Sequence, residues 1–305
     1  MTDFSGGGYY IIEFKKLNLR WTYIFVRTKP VAVFKKVEFM KKVFSFVAVS
    51  LALVLSTSLI SCKAPSGGGK DPRQEVSGKI GKYEKPYEVG DILFTDGSAT
   101  AYKSGLTLTA EQKSKAIAVI YKVDGSKAYG VGLVHNRSGL AWCLYEAKGM
   151  DKFFSDIQCT PYQNAVWTFT GDTDGSDNFT KISEALGEDD DTGTPGNYPA
   201  FEFAKNYKNQ ANSHVSGTDY EDDWYLPSVA ELYDIWTKKA TVDASSALCG
   251  GSQFGNENIY YWSSSQFPSP SYPSWALPLC FYDPSYYYDY TKNRSEYFVC
   301  CIRVF

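Results

Sequence analysis

An uncharged, mostly apolar run from Val43 to Ile60 divides this chain into two parts with different fates. Lys41 and Lys42 precede it, after Met40, and Ser61-Cys62 follow it at once. A charged start, an apolar core and a small residue before the cut define a secretory signal, here residues 40–61. Everything downstream is therefore expected to fold after export, in an oxidising compartment. The run is also just long enough to span a bilayer as a helix. The position of Cys62 and the flexible stretch behind it favour the signal. Residues 1–39 lie upstream of a complete signal, so they are expected to be a misassigned N-terminal extension, with Met40 as the start. Ala64 to Pro86 is rich in Gly, Lys, Pro and Ser, and residues 62–85 are expected to form a solvated tether. Residues 86–305 remain, enough for one substantial core.

The net charge of -3 conceals an asymmetry. Residues 1–61 carry 9 Lys/Arg and 3 Asp/Glu, which leaves 22 positive and 31 negative charges on the exported part. An acidic body repels phosphates, so no nucleic-acid partner is expected.

Local signals read as mixed α+β. Ile92 to Phe94 is apolar and runs into an Asp96-Gly97 turn, as a strand would. Thr109 and Gln112 make a capping-box pair that starts a helix leading into the apolar run "AIAVIY", and Asp124-Gly125 turns that strand towards "KAYGVGLV". "SGLAWCLYEA" reads as another strand, and "NYPAFEFAKNYKN" as a helix. The clearest helix is "SVAELYDIWTKK". Ser228 and Glu231 form its capping box, Val229, Leu232, Ile235 and Trp236 share one face, and Lys238 and Lys239 suit its C-terminus. The closing "YFVCCIRVF" is apolar on both alternating faces, the pattern of a central strand buried on both sides.

Recognisable catalytic chemistry is sparse. There are two histidines, His135 and His214, and no nucleophile elbow, CxxC, HExxH, P-loop or GxGxxG. "DTDGSDN" and "EDDDTG" carry carboxylates, but their glycine spacing does not suit an EF-hand, so 171–196 reads as an acidic surface loop. Beyond Cys62, six cysteines remain, which allow fifteen pairings, and the sequence selects none. Cys300 and Cys301 fall on opposite faces of the last strand and are not expected to pair with each other. Buried structural thiols are the expectation, with no cofactor and no metal.

Four stretches, "DWYLPSVAELYDIW", "ALCGGSQFG", "YYWSSSQ" and "VCCIRVF", together resemble C-type lectin-fold domains of the formylglycine-generating-enzyme-like kind. More closely, they look like the treponemal variable lipoproteins diversified by retroelements, and "GVGLVHNRSGLAWC" fits the same likeness. Leu59-Ile60-Ser61-Cys62 resembles a bacterial lipobox, which makes Cys62 the expected lipidation site. The resemblance implies an α+β C-type lectin fold over 86–305, a lipid anchor in the outer membrane, and display at the cell surface. It also implies a C-terminal stretch rewritten from an asparagine-rich template by adenine-directed substitution. Such codons reach Tyr, Ser, Asp, Pro and Arg but never Lys, Gln, Glu, Met or Trp.

That alphabet fits "CFYDPSYYYDYTKNRSEYF", Cys280 to Phe298, which holds six tyrosines with neither helical nor strand periodicity. Within 267–298 only Trp275, Lys292 and Glu296 fall outside the alphabet, where chance predicts about six. Five of the thirteen prolines lie between 268 and 284, which disfavours a paired central strand there and favours rigid loops. Tyrosine offers large contact area and a hydroxyl at little rotamer cost, the reason paratopes use it. The expected ligand contacts are Tyr272, Ser274, Tyr282, Asp283, Tyr286, Tyr287, Tyr288, Asp289, Tyr290, Arg294 and Tyr297, with Trp262 and Trp275 as supports. The expected partner of this monomer is a protein or other macromolecule, not a sugar held by calcium, because no E-P-N or Q-P-D motif occurs. The competing readings are an enzyme of the formylglycine-generating type and an antigenic decoy without a dedicated ligand.

Overall fold

The computed structural model describes residues 73–255, 259–285 and 291–305, together with the backbone of two short strands near the N-terminus. Those two, β1 (Tyr9–Ile11) and β2 (Ile24–Val26), pair antiparallel within a first unit, residues 1–70. The export signal and Cys62 lie outside the described residues. Among the described residues no helix is long and apolar enough to cross a membrane.

Residues 71–305 form the second unit. Its centre is an antiparallel sheet in the order β11-β6-β5-β3-β4, built from β3 (Ile92–Phe94), β4 (Ala99–Thr100), β5 (Ala116–Asp124), β6 (Lys127–Gly132) and β11 (Ile302–Val304). Thr109 caps α1 (Ala110–Lys115) with the reciprocal Gln112 bond, and α1 passes directly into β5, as the sequence predicts. The Asp124-Gly125 turn closes the β5–β6 hairpin, with Asp124 opposite Lys127. With helices and an antiparallel sheet in one unit, the architecture is α+β.

Both faces of this sheet are buried. Ile92, Phe94, Val119, Tyr121 and Val131 join one apolar cluster with Val229, Leu232 and Ile235 of α4 (Val229–Thr237) and Val242 of α5 (Lys239–Cys249). Leu93, Ile117, Ile120 and Ala128 join the other, with Phe201 and Phe203 of α3 (Pro199–Lys205) and Ile182 and Leu186 of α2 (Asn178–Leu186). Alternation sets the side for Ile92, Leu93 and Phe94 and for Val119, Ile120 and Tyr121, and the register irregularity at Leu93/Phe94 accompanies the break that puts Ile117 on the same side as Ile120. Cys300 joins the first cluster and Cys301 the second, so the two thiols do face apart.

Several expectations need correction. The strand at the chain's close is buried on both faces at Cys300–Ile302, yet it lies at the sheet's edge rather than its centre. Its outer side is closed by Tyr225, which exchanges two backbone hydrogen bonds with Ile302 at 3.0 Å each. The acidic loop 171–196 contains α2, whose Asn178, Ile182 and Leu186 recur at helical spacing and are buried. "SGLAWCLYEA" is not a strand, because its amides go to separate acceptors: Leu140 to Tyr297 O, Trp142 and Cys143 to Lys292 O, Leu144 to Asn197 O. The expected tether is, from Arg73 onward, part of the folded body. Arg73 pairs with buried Asp91 at 2.6 Å, and Tyr83 is buried and bridges Ala99.

Candidate ligand-binding surface

The platform for the tyrosine-rich region is β9 (Tyr260–Gln266), which pairs antiparallel with β10 (Ala276–Cys280). All seven residues of β9 are buried although four are polar. Burial of polar groups is tolerable only where they are hydrogen-bonded, and each of the four has a partner. Ser263 Oγ donates to Leu277 O, Ser264 Oγ accepts from Asn178 Nδ2 at 2.9 Å, and Ser265 Oγ accepts from the Val229 amide at 2.9 Å. Gln266 Oε1 accepts from Phe154 N at 2.9 Å, while its Nε2 donates to Pro273 O at 2.8 Å. The W-S-S-S-Q stretch is thus a row of small polar pegs that fix neighbouring loops. Trp262, fully buried, donates Nε1 to Leu140 O at 2.8 Å.

From this strand the chain makes a closed loop. Phe267 N donates to Trp275 O, and Trp275 N to Tyr272 O. The Tyr272 ring stacks on Trp275 with centroids 4.5 Å apart, and Phe267 packs edge-on to both. Tyr272 remains 46% exposed. β10 follows, a strand with a single partner rather than a central one. Pro278 lies within it, beside a register irregularity, and β10 pairs only with β9, so the missing amide hydrogen interrupts no second ladder.

Beyond β10, Phe281 is buried against Phe254 at 4.1 Å, while the next residue, Tyr282, is 60% exposed. Asp283 accepts from Ser285 N and Ser285 Oγ, which makes a tight polar turn. Tyr286, Tyr287, Tyr288, Asp289 and Tyr290 lie outside the described residues. The chain is next seen at Thr291, which bridges Trp275. The Lys292 amide donates to Ser274 O at 2.8 Å, and the Lys292 carbonyl accepts from Trp142 N at 2.8 Å and Cys143 N at 3.2 Å. Arg294 is half-exposed and ion-paired to Glu296.

Tyr272, Ser274 and Arg294 are therefore brought to one end of β10, and Tyr282 and Asp283 to the other. At about 3.3 Å per residue the strand separates the two groups by roughly 15–20 Å. Tyr297 departs from the sequence expectation. It is only 7% exposed, its ring packs on Trp262 at 4.7 Å and Tyr260 at 5.3 Å, and its carbonyl accepts from Leu140 N. It belongs to the core, because the backbone of 297–298 is pinned between β9 and residue 140 and the ring has nowhere else to go.

The body approaches this segment closely at one point. Gly139, at φ +84, lies so near that a Cβ there would fall 2.1 Å from Ser295 O. The same crossing carries two exposed residues that the sequence did not single out, Leu144 and Tyr145, the latter 71% exposed. They follow directly on Cys143, whose amide meets Lys292, and no periodicity marks them because this stretch has no regular structure.

Both histidines have partners in the fold. His135 is buried, with Nδ1 3.0 Å from Tyr261 OH, and burial together with Arg137 pushes it down to about 3. His214 Nδ1 meets Ala116 O. Cys143, Cys159, Cys249, Cys300 and Cys301 are buried free thiols, and burial pushes Cys143, Cys159 and Cys249 up to about 12, which leaves those three of low reactivity. Asp172 in "DTDGSDN" is bonded to Asn178 and Lys181. No group of three or more potential metal ligands occurs among the described residues. No family model, curated protein or solved structure matches this chain.

Proposed function

We propose that this chain is an exported lipoprotein, anchored through Cys62, whose body has a C-type lectin fold of the formylglycine-generating-enzyme-like kind. Residues 267–298 form its ligand-binding surface, and a retroelement rewrites that surface between copies. The ligand is a protein or other macromolecule.

The observation that carries this reading is the contrast between fixed backbone and displayed side chains in one segment. Tyr272 and Tyr282 are exposed, while the backbone around them is held at Pro273, Phe281, Lys292 and Tyr297 by bonds from the body. Large aromatic side chains on an immobilised irregular backbone make contact area at low entropic cost, the logic of a paratope. The motifs that frame the segment, β9 and residues 299–302, are buried, and within it Leu277, Leu279, Phe281 and Tyr297 belong to the core, so variation that keeps the fold is confined to exposed positions such as Tyr272 and Tyr282.

The test is to sequence codons 259–305 across a growing population and to search nearby DNA for a near-identical repeat. Substitutions within codons 267–298, opposite template adenines, support the reading. An invariant region with no template nearby overturns the claim of diversification.

A further inference from the structure

Lys292 stands in the polar run "TKNRSE", where a lysine would ordinarily reach into water. Instead it is fully buried. Its Nζ donates to the carbonyl oxygens of Gly149 and Lys152, each at 2.8 Å, and lies 4.9 Å from the ring centroids of both Trp142 and Phe154. Carbonyl acceptors and aromatic faces are what a desolvated ammonium needs in place of water.

The seat is assembled by groups other than Lys292. Trp142 is fixed by its Nε1 bond to Ser263 O at 3.1 Å. Gln266 holds the next part, accepting from Phe154 N and donating to Lys152 O at 3.2 Å. Gly149 N donates to Tyr198 OH at 3.0 Å, and Tyr198 in turn donates to Asp191. Burial pushes the Lys292 ammonium down to about 7, against the opposing pull of Cys143 and Asp151, and the two carbonyls and two rings are the groups that hold it in place of water.

We infer that Trp142, Gly149, Lys152 and Phe154 form a preassembled ammonium receptor whose occupant is Lys292, and that this seat sets the register of the tyrosine-rich segment on the body. Lys292 is a positioning residue. Its backbone and side chain together bond to Ser274, Trp142, Cys143, Gly149 and Lys152, and the residues on either side are left to vary. The inference deepens the binding reading of 267–298, but the seat itself can be tested whether or not that segment is rewritten.

The experiment is hydrogen exchange read by mass spectrometry on the exported body, comparing the wild type with Lys292→Met and Lys292→Ala. Met keeps the apolar stem without the charge, and Ala empties the seat. Lys292→Met is expected to speed exchange of amides in 274–285 and 291–297 by roughly tenfold, which corresponds to about 1.4 kcal/mol. Amides of β5 and β6 should stay within about twofold of wild type, since local openings need not spread to the core. Added n-propylammonium, which replaces the atoms lost in Lys292→Ala, is expected to restore protection in a saturable way, and n-propanol is not. Unchanged exchange in Lys292→Met overturns the inference. So does an equal rise throughout β5 and β6, or rescue by propanol as good as by the amine, because either would make Lys292 ordinary packing. If Lys292→Ala does not fold, the Lys292→Met comparison alone decides.

Discussion

β9 and the exposed Tyr282, in the segment from Phe281 to Tyr297, invert the usual placement of polar and apolar side chains. β9 carries three serines and a glutamine, and all are fully buried. The later segment carries phenylalanine and tyrosine, yet Tyr282 is 60% exposed. The difference lies in what each backbone does. β9 is extended and surrounded by loops whose amides and carbonyls need partners, so short polar side chains are the stabilising choice inside. The later segment has its backbone bonds met from outside at a few points, so its side chains are not all needed for packing. A region can therefore be chemically apolar and structurally permissive, or polar and structurally demanding.

The largest expected effect separates two tyrosines of the same segment. Tyr297→Ser should cost about 4 kcal/mol in urea unfolding, because it empties a core site against Tyr260 and Trp262. A cost below about 1 kcal/mol would return Tyr297 to the permissive class.

Next comes the support beneath β9. Glu231 accepts from Gly175 N, Ser228 N and Tyr225 OH, beside the residues that bond Ser264 and Ser265. Burial raises its carboxyl from 4.5 to about 7. Between those values the native state binds the extra proton, so this contribution is fully present below about pH 4.5 and is lost as pH rises through about 7. The swing is on the order of 3 kcal/mol. Glu231→Gln should flatten it, seen as urea midpoints at pH 5 and pH 7.5 that differ less than in wild type. An equal difference in both proteins would place the pH dependence elsewhere.

Gln266→Ala leaves Phe154 N and Pro273 O without their partner and should cost about 2 kcal/mol. It should also raise protease cutting within 267–275 before any cutting in the sheet. The smallest effect belongs to Tyr282→Ser, at most about 0.5 kcal/mol, measured by the same unfolding curve. A larger loss would show that Tyr282 packs, and the comparison between the two regions would weaken.

The elements legible in the sequence were those whose signals are short and local. Thr109 with Gln112 and Ser228 with Glu231 mark helix starts within four residues, and Asp124-Gly125 marks a turn within two. Helix α2 was hidden because acidic loop residues flank it on both sides, although Ile182 and Leu186 kept helical spacing. The β7 (Cys159–Gln163) and β8 (Val166–Gly171) hairpin turns through Asn164 and Ala165, both at positive φ, without the glycine that would have announced it. In the candidate site the exposed Tyr272 and Tyr282 were legible from composition. The burial of Tyr297 and Lys292 was not, since it depends on partners far along the chain: the Lys292 ammonium meets carbonyls 143 and 140 residues away.

The two-sided burial of Cys300, Cys301 and Ile302 has a consequence for how errors are screened. These residues are encoded after the tyrosine-rich segment, and each cluster of the core takes at least one of them. A frameshift or stop codon anywhere in 267–298 removes a part that both clusters require, whereas an in-frame substitution leaves it intact. Folding thus acts as a reading-frame check on the stretch 267–298, and only chains translated correctly through it can close both halves of the interior.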